Sequence, residues 1–197
     1  MQIAPGPIAL ALFFLIACGC GASAPSRFYT LGPVGTHESG TPLSGVTIMV
    51  GPVSMPAAVD RPELVVQNAP NQVEVDEFNR WAAPLSDQIA QAVASDLVQM
   101  LGTSKVAAGP LANFNPTYRV TIDVQRFESV PGKSATIEAM WAVYRSPGGA
   151  TRTGRTLAQE TFADSSYDAL AAAHSRALVR LSSDIAGAIR VEAEAQP

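Results

Sequence analysis

Residues 117–143 alternate in a way that a half-buried β-hairpin satisfies and a helix does not. Tyr118, Val120, Ile122 and Val124 share one side, while Thr117, Arg119, Thr121, Asp123 and Gln125 share the other. Pro131, Gly132 and Lys133 interrupt the pattern with turn residues, and Ile137, Ala139, Trp141 and Val143 resume it. A second turn at 146–149 leads into 155–162, a third strand of a meander. The apolar face of such a meander needs a cover.

Two amphipathic segments supply one. Over 85–101, Leu85, Ile89, Val93, Leu97 and Leu101 recur at steps of four, with Ala92 and Met100 widening the stripe. Pro84 opens this helix and Gly102 closes it. A second helix is expected over 167–191, with Leu170, Ala173, Ala177, Leu181, Ile185 and Ala188 or Ile189 inward, followed by a frayed tail at 192–197. Upstream, 27–31 and 46–53 read as strands, and 64–67 and 72–75 form a short hairpin around Asn68-Ala69-Pro70-Asn71. Residues 37–45 read as a loop. The expected fold is α+β: a mostly antiparallel sheet with two amphipathic helices packed on one face, a two-layer sandwich forming a single domain over 27–191. A chain of 197 residues with 47% apolar content suffices for one such core.

The N-terminus follows different rules. Residues 8–17 (IALALFFLIA) are an unbroken apolar run. It is too short for a bilayer span, which takes about 20 residues, and it fits the apolar region of a signal peptide at 1–17. Residues 1–7 carry no Lys or Arg, so the usual basic start is missing. The two cysteines, Cys18 and Cys20, directly follow the run, and a disulfide between positions so close is strained. Leu15-Ile16-Ala17-Cys18 resembles a lipobox, which makes Cys18 the expected lipid attachment site. Cys20 is the second choice, because Ala17 stands where a large aliphatic residue is preferred. The expected group is a covalent diacylglyceryl and N-acyl lipid on the mature N-terminal cysteine, with no other cofactor. Neither cysteine is followed by Asp, which favours the outer membrane. Residues 18–26 would then be a lipidated cysteine and flexible tether.

Little in the chain points to catalysis. Net charge is −4 and the 13 Lys and Arg are scattered, which argues against a nucleic-acid partner. His37 reads as a solvated loop residue and His174 as a hydrogen-bonded residue at a helix border. No His-Glu-x-x-His or Gly-x-Ser-x-Gly pattern occurs. Gly132-Lys133-Ser134 lacks the leading glycine of a phosphate loop, since Phe127 occupies that place, and it reads as a turn. Glu74, Asp76 and Glu77 read as complementing the dipole of the first helix. Two segments keep a double reading: 59–62 (VDRP) and 78–85 (FNRWAAPL). Arg61 beside Asp60 suits a loop-locking ion pair, and Trp81 a hydrophobic staple. Arg and Trp are also common interface anchors.

These segments, taken in order, resemble a known family. Leu15-Ile16-Ala17-Cys18 comes first, then Ser26-Arg27-Phe28-Tyr29-Thr30-Leu31, then Val50-Gly51-Pro52-Val53 with Pro56 and Asp60-Arg61-Pro62, then Arg80-Trp81-Ala82 with Pro84-Leu85, then the paired strands. The set resembles the ABC-transporter auxiliary lipoproteins of the PqiC-like type. The loop at 35–45 is longer than that pattern. The resemblance implies a non-catalytic lipoprotein at the periplasmic face of the outer membrane, auxiliary to an MCE-type, ABC-linked lipid transport system that supports envelope integrity. An MCE-domain periplasmic protein would be its partner, and self-association is a further implication. Tyr29, Arg61 and Trp81 become candidates for partner contact or for structural anchors. A free-standing periplasmic lipid-binding lipoprotein is the alternative, and an envelope hydrolase a third that lacks a nucleophile–base pair.

Overall fold

The computed structural model describes residues 24–34, 41–149 and 151–195. The expected signal peptide, Cys18, Cys20 and His37 lie outside those residues. The elements run β1 (Arg27–Tyr29), β2 (Ile48–Ser54), β3 (Glu63–Ala69), β4 (Gln72–Trp81), α1 (Leu85–Leu101), β5 (Val106–Ala108), β6 (Tyr118–Val130), β7 (Ser134–Arg145), β8 (Thr151–Thr161) and α2 (Tyr167–Glu194).

The strands form two sheets, ordered β1-β4-β3 and β5-β2-β6-β7-β8. The long hairpin has the expected register: Val120 opposes Val143, Ile122 opposes Trp141 and Val124 opposes Ala139, so all six share the covered face. A bulge between Val124 and Arg126 resets the alternation, which keeps Phe127 inside and Arg126 outside. The α+β sandwich is as expected, but both sheets are mixed. β2 runs parallel to β5 and β6, and β1 runs parallel to β4. The helix α1 stands between β2 and β6 in the chain, and a strand–helix–strand crossover returns parallel.

Both helical stripes are buried as their spacing requires. Leu85, Ile89, Val93, Leu97 and Leu101 of α1 face Leu170, Ala173, Ala177, Leu181 and Ile185 of α2 and the inner side of the larger sheet. Within this core Ser182 donates to Asp96, 2.8 Å away, and links the helices. Gly102 ends α1 at a φ of 62°, where a Cβ would lie 2.9 Å from Pro42. The Ser166 side chain caps α2 by accepting from the Ala169 N–H. That helix outruns its expected end at 191. Glu192 is nearly buried and accepts from Arg152 Nε at 2.9 Å, which fastens the last turns to β8.

The Trp141 ring lies directly over Gly154, its neighbour across β7 and β8, and a Cβ at 154 would overlap the ring. Its indole N–H donates to Thr156 Oγ1 at 3.1 Å, and Thr156 in turn donates to Asp184 Oδ2 at 2.7 Å. This hydrogen-bond chain holds the ring over Gly154. Gly154→Val is therefore expected to cost about 1–3 kcal/mol by overpacking, read as a lower urea midpoint with an unchanged m-value. An unshifted midpoint would show that the ring can move aside.

Candidate functional site

The smaller sheet brings together residues that lie far apart in the chain. Tyr29 stands beside Trp81 in the parallel register of β1 and β4. The Trp81 N–H donates to the Pro62 carbonyl at 2.7 Å and the Ala82 N–H to the Tyr29 carbonyl at 2.9 Å. Tyr29, Trp81 and the segment carrying Arg61 thus form one corner. The first two side chains are buried. Trp81 sets its ring edge-on to Phe127, with centroids 6.0 Å apart at 78°, and closes β4 rather than stapling a helix start. Tyr29 donates its hydroxyl to Asn79 Oδ1 at 2.8 Å.

Arg61 is the exposed member, and its partner is not Asp60. Arg61 Nε donates to Glu63 Oε2 at 3.1 Å, and Arg80 donates to Glu63 Oε1. Arg61 lies in the bend before β3 and Glu63 opens that strand, so the carboxylate is shared between the bend and Arg80 of β4. Arg80 first, and Arg61 second, hold the Glu63 carboxyl down at about 2.

The acidic cluster is also placed differently from expectation. Asp76 lies within β4, not at a helix start. It accepts from Tyr167 Oη at 2.8 Å, Asn79 Nδ2 at 2.8 Å, and the backbone N–H groups of Phe78 and Asn79 at 2.9 and 3.0 Å. Burial opposes ionisation of Asp76, but the bonds from Tyr167, Asn79 and the backbone outweigh it and keep the carboxyl below its ordinary value. Burial, followed by the Asp76 carboxylate, pushes the Tyr167 phenol up. The network joins β1, β4 and the start of α2. Nothing in the sequence marks Asp76, Asn79 and Tyr167 as partners.

Beside this corner lies a cleft of about 330 Å³ lined by Asp60, Arg61, Pro62, Trp81 and residues 82–85. Gln88 braces its wall, donating to the Ala83 carbonyl at 2.9 Å and accepting from the Leu31 N–H at 2.8 Å. An apolar floor with one charged rim suits recognition of a side chain or an extended segment.

One pair looks catalytic on distance alone. Ser129 Oγ lies 2.8 Å from His174 Nε2. Both residues are buried, and His174 stacks on Phe127 at 3.9 Å and 6°. Among the described residues His174 Nδ1 has no hydrogen-bond partner, so none of them orients the ring as a third group. Burial pushes its pKa down to about 3. His174 therefore sits at the centre of the core, not at the helix border expected for it. Gly132 and Lys133 form the β6–β7 turn, closed by Lys133 N–H to Val130 O at 3.0 Å. Among the described residues no group of three His, Cys, Asp or Glu side chains is placed to hold a metal, and no helix is long and apolar enough to cross a membrane.

The family model for the ABC-type transport auxiliary lipoprotein component matches residues 29–186. The chain belongs to this family. The match takes in the Tyr29–Trp81 corner, the cleft and most of α2. Among solved structures, protein XCC0632 from Xanthomonas campestris, assigned to DUF330, is 23% identical with a TM-score of 0.68, covering 87% of this chain and 100% of its own. A second, described as an uncharacterized protein, is 20% identical with a TM-score of 0.69, covering 84% of this chain and 99% of its own. Both share the family fold. A comparison with curated proteins gives no match.

Proposed function

We propose that this chain is a non-catalytic auxiliary subunit of an MCE-type, ABC-linked lipid transport system, anchored at the periplasmic face of the outer membrane through an acylated Cys18. The observation that carries the reading is the family match over 29–186, which starts just after the expected cysteine and tether. ATP would be used by a separate subunit. The partner would be an MCE-domain periplasmic protein, with self-association as a further contact. Among the described residues β5 and β8 each pair on one side only, and open strand edges accept added strands.

A triacylated cysteine exceeds the two-chain requirement for stable attachment. Cys18→Ala is accordingly expected to abolish acylation and remove the protein from the outer-membrane fraction, while Cys20→Ala leaves both intact. Density-gradient fractionation with intact-mass measurement checks this. The reverse pattern would move the anchor to Cys20, and an unacylated wild type would remove the lipoprotein reading.

A further inference from the structure

The outer side of the smaller sheet carries exposed apolar side chains among Glu63, Gln67 and Arg80, near the point where the tether enters the domain. Tyr29, Asn79 and Trp81 face inward, so Phe28 and Arg80 face out, and Phe78, in the bulged stretch of β4 after Asp76, is exposed beside them. On the neighbouring pair, Leu64 and Val66 are buried, which turns Val65, Val73 and Val75 to the same outer side. Phe28 is 64% exposed, Val73 61% and Phe78 44%. The charges within this face, Arg80 and Glu63, neutralise each other by pairing.

We infer that this face is a second membrane contact, with Phe28 and Phe78 seated among the lipid headgroups beside the acyl anchor. The inference rests on the acylated-cysteine reading above. Ala24, Pro25 and Arg27 line a single cleft with Asp76, Phe78, Asn79 and Tyr167, so the chain enters the domain at the β1 edge of the smaller sheet, next to Phe28 and Phe78. Even fully extended, the chain from Cys18 to Ala24 spans at most about 20 Å. An inserted anchor therefore keeps Ala24, and the β1 edge that carries Phe28, within about that distance of the bilayer. Exposed aromatic side chains settle at the headgroup level, where their apolar bodies leave water. Three acyl chains already secure attachment, so the patch serves to orient the domain. Its contact is apolar and should persist at high salt.

The test uses the full acylated protein, purified from membranes and reconstituted into phosphatidylethanolamine–phosphatidylglycerol vesicles containing brominated phospholipid. Phe28→Trp, Phe78→Trp and Leu157→Trp each place an indole at an exposed position, the last on the outer face of the larger sheet. The native Trp81 and Trp141 are buried and provide a constant background. Bromolipid is expected to quench the indoles at 28 and 78 at least about twofold more than the one at 157. Equal quenching at all three sites, or none, with the acyl mass present would overturn the inference. Emission at 28 that shifts blue with protein concentration, without bromolipid quenching, would overturn it too and assign the face to a second copy. A missing acyl mass would instead sink the tethered reading, and this inference with it.

Discussion

Trp81→Ala is expected to lower stability by about 3–5 kcal/mol, the range for deleting a large aromatic from a core. The indole is 5% exposed and packs edge-on to Phe127 and, with centroids 6.5 Å apart at 75°, to His174. Removing it leaves a void where the smaller sheet meets the larger one. The backbone bonds that join β4 to Pro62 and Tyr29 do not involve the indole and would remain. Such a loss is a large share of the 5–15 kcal/mol typical of a domain. Denaturant unfolding followed by the fluorescence of the remaining Trp141 measures it. Stability left intact, with partner binding lost, would make Trp81 an interface residue instead.

Stability should also fall as pH drops from 7 to 5, by about 2 kcal/mol at about 1.4 kcal/mol per pH unit below the unfolded pKa. His174 carries this effect. Burial holds its pKa at about 3 in the folded chain, against the ordinary 6.5 of a solvated imidazole. The unfolded chain takes up a proton below pH 6.5 and the folded chain does not, so stability is fully present above that value and drains away toward pH 3. Glu63 acts in a lower window, since its pKa is also depressed and its contribution is lost as pH falls from 4.5 toward 2. Denaturation midpoints at pH 7 and 5 separate the two. His174→Gln should flatten the profile over that interval, and a wild-type profile that is already flat would show that the folded chain protonates His174 readily.

The parts of the fold legible in the sequence are those with a local period. Leu85 to Leu101 at steps of four and Tyr118 to Val124 at steps of two each bury one face, and chain geometry fixes which one. The parallel pairing of β2 with β5 and β6 has no such local mark. It depends on where α1 carries the chain, and β5 is only three residues long. β4 runs well past the 72–75 strand that the sequence predicts, because it is hydrogen-bonded on both sides yet carries Glu74, Asp76 and Glu77 where an apolar alternation would mark it. The candidate corner was legible in part. Tyr29, Arg61 and Trp81 stand out in the sequence, and they converge. The groups that organise the corner do not, because Asp76 and Tyr167 are far apart in the chain and meet only when it folds. The helical spacing around His174 places it only at a border, whereas its burial comes from Phe127 and Trp81 on two different strands.

The central claim, a membrane-tethered transport subunit, is tested most directly by affinity capture of the tagged protein from gently crosslinked membranes, with mass spectrometry of what accompanies it. The account predicts an MCE-domain protein as the dominant partner, lost when Cys18 and Cys20 are both replaced by Ala. Recovery of the chain alone with bound phospholipid would contradict it and favour a solitary lipid-binding lipoprotein.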